Sequence, residues 1–224
     1  MKTETLQIDT ANGPTTAYVA MPDGAGHSDK AIIVVQEWWG LNGHIKDIAG
    51  RYAAEGFTAV APDLYRGVIA KDAEEAGKLM HALAIEDGLD TIKNTAEKIR
   101  SNYDIKKIGI TGYCMGGTFA LRAACELDGF AAAVPFYGDI PGDDVLENLK
   151  TPVMFISGKR DAWINTEKVA GLEKAAAEFG LPVESIGYDA DHAFFNDTRP
   201  EVYDAAAAAD AWKKAIHFFN LNLS

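Results

Sequence analysis

A chain of 224 residues with 21 lysines and arginines against 33 aspartates and glutamates carries a formal charge of −12. No basic patch is dense enough to neutralise phosphates, so neither nucleic acid nor an anionic membrane surface is expected as a partner. A hydrophobic share of 48% suffices for a sizeable core, and two cysteines make neither a disulfide framework nor paired zinc ligands, which points to reduced thiols in the cytoplasm.

The chain opens on Met1-Lys2-Thr3-Glu4-Thr5 with no apolar run behind it, so no signal peptide is expected. Leu6 to Thr10 and Thr15 to Met21 alternate weakly and read as a hairpin around Ala11-Asn12-Gly13-Pro14. Pro22 to Lys30, with its early histidine His27, reads as a polar loop. Ala31 to Val35 is a continuous apolar run, the signature of a strand buried on both faces. Ile45 to Glu55 then predicts a helix and Phe57 to Ala61 a strand. Asp72 to Ile85 and Asp90 to Arg100 predict two amphipathic helices. Lys107 to Thr111 is the next strand and Met115 to Glu126 the next helix. Three strands follow, Phe130 to Phe136, Val153 to Ser157 and Val183 to Tyr188. A helix from Thr166 to Phe179 separates the last two, with Gly180 as its C-cap and Pro182 beyond. Glu201 to Phe219 closes the chain as a helix whose alanines, Ala205 to Ala209, suit close packing. This order predicts an α/β fold, a mostly parallel sheet with helices on both faces. With no repeat, linker or composition break, residues 1–224 read as one domain.

The motif that carries chemistry is Gly112-Tyr113-Cys114-Met115-Gly116-Gly117, directly behind a predicted strand. It has the form of a nucleophile elbow, a sharp strand-to-helix turn, with cysteine in the nucleophile's position. Its glycines keep side chains out of a crowded bend, and the backbone N–H of Met115 falls at a helix N-terminus where an oxyanion would form. The competing reading is a buried cysteine on a packing turn.

A thiol nucleophile needs a base, and the base needs an orienting acid. Of the five histidines, only His192 follows a C-terminal strand and opens a loop; His44 stands at a helix start, His81 within a helix and His217 in the last one. Asp161, in the loop after Val153 to Ser157, is the candidate acid, with Asp139 and Asp191 as its competitors. The order Cys114, Asp161, His192 is the nucleophile, acid, base order of α/β-hydrolases. A second oxyanion donor belongs on the loop Gln36-Glu37-Trp38-Trp39-Gly40, where the N–H of Trp38 is the candidate. Trp39 could wall a pocket. Glu37 is unexpected, because a carboxylate beside an oxyanion site repels the developing charge; it must point away, find a partner or touch the thiol. No metal-binding helix, Walker lysine pattern or dinucleotide fingerprint is present, so neither metal nor cofactor is expected.

Four segments together resemble the dienelactone hydrolases, also called carboxymethylenebutenolidases: Gln36 to Asn42, Ala61-Pro62-Asp63-Leu64-Tyr65, Gly112 to Gly117 and His192 to Pro200. The resemblance spans nearly the whole chain. It implies an α/β-hydrolase fold, a Cys-His-Asp triad at Cys114, His192 and Asp161, and a glutamate at Glu37 that contacts the resting thiol and is displaced by an anionic lactone, helping to form the thiolate. It departs from the family at the arginines that hold a substrate carboxylate: Asn196 stands at one position, and Lys71 to Glu75 offers none at the other. Arg199 and Arg66 are the candidate substitutes, with Tyr65 and Phe194 as further substrate contacts. The expected function is a monomeric hydrolase of small lactones or activated esters; the rival is a non-catalytic protein of the same fold that binds a small ligand or a protein partner.

Overall fold

Turn chemistry and alternation build the first two strands of the computed structural model, which describes residues 1–23 and 28–224. His27, and with it the middle of the loop expected at Pro22 to Lys30, lies outside the described residues. β1 (Lys2–Ile8) and β2 (Thr15–Met21) pair antiparallel across a turn in which Gly13 takes φ 101°. β3 (Lys30–Val35) sorts its side chains by period two: Ala31, Ile33 and Val35 enter one buried cluster, Ile32 and Val34 the other. The remaining strands are β4 (Thr58–Pro62), β5 (Lys107–Tyr113), β6 (Phe130–Phe136), β7 (Val153–Gly158) and β8 (Val183–Tyr188).

One eight-stranded sheet results, in the order β1-β2-β4-β3-β5-β6-β7-β8. The pairings β1 with β2 and β2 with β4 are antiparallel, and the rest are parallel. The connections of the parallel part are helical: α1 (Gly43–Ala54), α2 (Ala73–Ala82), α3 (Ile85–Tyr103), α4 (Met115–Glu126), the single turn α5 (Asp143–Leu146) and α6 (Thr166–Phe179), with α7 (Ala205–Asn222) closing the chain. Helices α1 and α7 bury their apolar stripes on one face, α3, α4 and α6 on the other. None of the described helices is long and apolar enough to cross a membrane.

Several boundaries differ from expectation for local reasons. Asn42 caps α1 by accepting from the N–H of Ile45, so the helix begins ahead of its first apolar residue. The expected break between Ile85 and Asp90 is absent. α3 runs through Gly88, whose bare face receives the ring of Phe119; a methyl there would lie 2.1 Å from that ring. The real break is at Leu83 and Ala84, just ahead of the acidic first turn Glu86 and Asp87. α7 starts at Ala205 rather than Glu201, because the Asp204 side chain accepts from Ala206 and Ala207. α7 reaches the middle of the sheet: the ring of Phe219 lies on the bare face of Gly109 in β5, where a methyl would meet it at 2.6 Å.

Candidate active site

At the carboxyl end of β5 the chain turns directly into α4 at Cys114, with φ 55° and ψ −117°. That conformation is strained for a residue with a Cβ. It holds because the surrounding glycines let backbones touch: a methyl on Gly112 would sit 2.0 Å from the Gly116 oxygen, and one on Gly116 would sit 2.2 Å from the Val35 oxygen. The pattern Gly-x-Cys-x-Gly-Gly thus wedges the start of α4 between β3 and β6. The bend is further tied by the Cys114 N–H donating to Phe136 O at 3.1 Å.

Cys114 is 6% exposed. Burial and the neighbouring Glu37 carboxylate push its thiol up to about 12, while the backbone N–H groups of Met115 and Trp38 pull the other way. At rest the thiol therefore keeps its proton. These two N–H groups are the pair expected from the sequence to hold an oxyanion.

Asp161 and His192 come from the loops after β7 and β8. Asp161 Oδ2 lies 2.5 Å from His192 Nδ1, while Asp161 Oδ1 accepts from the N–H groups of Trp163 and Ile164. Against the cost of its own burial, the imidazole partner and these two N–H groups hold the Asp161 carboxyl below its ordinary range. His192 Nε2 is buried and has no hydrogen-bond partner among the described residues. The competing acids are engaged elsewhere: Asp139 pairs with Lys168 at 2.6 Å, and Asp191 meets Arg160 at 3.3 Å. His44 is buried beside Asp197, His81 bonds back to Gly77 within α2, and His217 is exposed on α7.

A cavity of about 370 Å³ opens on Cys114 and His192. It is lined also by Trp38, Trp39, Trp163, Met80 of α2, Glu37, Ala193 and Arg199. Trp38 and Trp39 meet edge to face at 5.1 Å. The loop carrying them is tied to the loop after β4, since Gln36 Oε1 accepts from Leu64 N and Trp39 O from Ala70 N.

Of the residues expected to contact substrate, Trp39 and Arg199 line this cavity. The other three do not. Tyr65 is buried with its hydroxyl 3.1 Å from Met115 Sδ. Arg66 is exposed and donates to Thr10. Phe194 is fully buried between Tyr137 and Tyr188. Met80 and Trp163 went unassigned in the sequence. Trp163 sits two residues beyond Asp161 and could have been suspected from that; Met80 reaches the cavity only through the placement of α2.

Glu37 is 2% exposed and accepts a hydrogen bond from Asn196 Nδ2 at 2.7 Å. Burial raises its carboxyl to about 7, against the lowering effects of Asn196, His192 and Arg199. Between its ordinary value of 4.5 and 7 the folded chain holds a proton that the unfolded chain has released, so stability falls as pH rises through that window. Above it the full deficit applies, on the order of 3 kcal/mol. Glu37→Gln keeps an acceptor for Asn196 and carries no charge. It is expected to raise the melting temperature at pH 8 and to leave it near wild type at pH 4.5. Thermal melts at both pH values check this; an equal shift at both would show that charge burial is not the cause.

The sequence profile of the dienelactone hydrolase family matches residues 15–223. The relative named "Putative carboxymethylenebutenolidase" in Aquifex aeolicus is 37% identical, over 92% of this chain and 93% of its own length. Protein usf of Aquifex pyrophilus is 36% identical over 90% of this chain and 91% of its own. The crystal structure of a "Putative Dienelactone Hydrolase" from Klebsiella pneumoniae superposes with a TM-score of 0.90 at 29% identity, covering 98% of this chain and 99% of that one. The Pyrococcus furiosus esterase Pf2001, at 17% identity and a TM-score of 0.76, is similar in fold.

Proposed function

Because the chain belongs to the dienelactone hydrolase family and is a lactone or ester hydrolase, we propose that Cys114 is its nucleophile, His192 its base, Asp161 the orienter of that base and Glu37 the first acceptor of the thiol proton. One observation carries the reading: Asp161 holds Nδ1 of His192 at 2.5 Å, and the unpartnered Nε2 belongs to a residue lining the same cavity as Cys114.

The thiol proton passes to Glu37 as the sulfur attacks the substrate carbonyl. The oxyanion is held by the N–H groups of Met115 and Trp38. The proton moves on to His192 Nε2 and from there to the leaving oxygen as the carbon–oxygen bond breaks, leaving an acyl-thioester on Cys114. His192 then takes a proton from water, hydroxide adds to the thioester, and the departing sulfur is reprotonated. Ester and water become acid and alcohol; from a lactone, both ends stay on one molecule. The aromatic lining suits a small, flat, unsaturated ring, and Arg199 is the lining cation that could meet a substrate carboxylate. We read the protein as a cofactor-free, single-domain monomer of the cytoplasm, in line with its two free cysteines.

The test is loss of ultraviolet absorbance by purified dienelactone, beside rapid-quench intact-mass analysis with an activated ester. Ring opening and an acyl adduct on the peptide containing Cys114 are expected. Turnover without any adduct on that peptide, under quench conditions that preserve thioesters, would overturn the covalent route.

A further inference from the structure

Asn196 stands four residues beyond His192, is 1% exposed and contacts Glu37 from 159 positions away in sequence. Its amide is locked in one orientation. Oδ1 accepts twice from Thr198, from the N–H at 3.0 Å and from Oγ1 at 2.6 Å. Since an oxygen receives those two donors, the group facing Glu37 is the NH₂, which donates to Oε2 at 2.7 Å. A buried carboxyl group with one fixed neutral donor can be held whether or not it is ionised, because its oxygen accepts in both states. The donor nonetheless favours the anion, whose hydrogen bonds are stronger.

We propose that Asn196, oriented by Thr198, is a positioning residue that holds the Glu37 carboxyl group in the cavity it shares with Cys114, where it can take the thiol proton. This rests on the role given to Glu37 above. The other groups that act electrostatically on Glu37 or are acted on by it are Cys114 at the elbow, Tyr137 after β6, and His192 and Arg199 on the loop after β8. His192 and Arg199 also favour the anion, but Arg199 is shared with Glu201 at 2.8 Å. Asn196 is the direct hydrogen-bond partner of the carboxylate and favours its ionisation.

The experiment is the pH profile of Cys114 alkylation by iodoacetamide, followed by peptide mass so that Cys125 is counted separately. In wild type the rate is expected to step upward near pH 7, and in Glu37→Gln that step disappears. Asn196→Asp, close to isosteric and adding negative charge, is expected to move the step up by about one pH unit or more, as is Asn196→Ala, which deletes the donor. Thr198→Val removes one of the two locks on the amide and moves the step in the same direction by less. On a Glu37→Gln background none of these substitutions changes the profile further. The inference is overturned if the Asn196→Asp and Asn196→Ala steps superpose on wild type, if either variant has the same effect without Glu37, or if Glu37→Gln leaves the wild-type step in place. Failure of the covalent route reads differently: Cys114→Ala would retain full turnover whatever the alkylation profile.

Discussion

Cys114→Ala is expected to lower kcat/KM by at least about ten-thousandfold on every ester or lactone the protein turns over. The cavity offers no second thiol and no hydroxyl: beside Cys114 it is lined by Glu37, three tryptophans, Met80, Ala193, Arg199 and His192. What survives is water attack assisted by His192 and the two N–H donors, the kind of residual activity an intact oxyanion site supports. Alanine retains the Cβ and the backbone strain of φ 55°, so the elbow is not relieved by the change and the variant reports on the sulfur. Initial rates of both proteins, with melting curves to show equal folding, decide it. A loss smaller than tenfold would remove Cys114 from the chemistry.

Asp161→Asn should cost about a thousand- to ten-thousandfold in kcat while leaving the fold intact. The reason lies in which atom faces which. Oδ1 of Asp161 already accepts from Trp163 and Ile164, so an asparagine keeps its oxygen there and turns its NH₂ toward His192. A donor facing Nδ1 demands a lone pair on Nδ1 and drives the ring proton to Nε2. The nitrogen that must accept a proton in the cavity is then already protonated. The loss should appear mainly in kcat, because no substrate contact is removed, and wild-type kcat with the asparagine in place would refute the tautomer argument.

The sheet was largely legible in the sequence because its signals are local: the apolar run at residues 31–35, the turn at Asn12-Gly13, and glycine beyond α6 each carry their own physics. The extent of α3 was not, since Gly88 breaks a helix by propensity and is accommodated only by Phe119, more than thirty residues on. The same limit governs the site. Asp161 and His192 can be nominated from loop order alone, because each follows a strand whose carboxyl end has one direction. The partner of Glu37 cannot: nothing near residue 37 indicates Asn196, and only the folded sheet brings the loops after β3 and β8 together. Phe194, two residues from His192, is among the expected substrate contacts. The turn that aims His192 outward, with Ala193 at φ 63°, sends Phe194 into the core.

The contact of Phe219 with Gly109 bears on how the protein is made. β5 leads directly into Cys114, and its face at Gly109 is shared by Ile32 from β3 and by a ring 110 residues later in the chain, so the strand that carries the elbow is made long before its last packing partner. Contacts of such separation form late and slowly. His192 and α7 both follow the elbow in the chain, so the parts of the site are all present only near the end of synthesis.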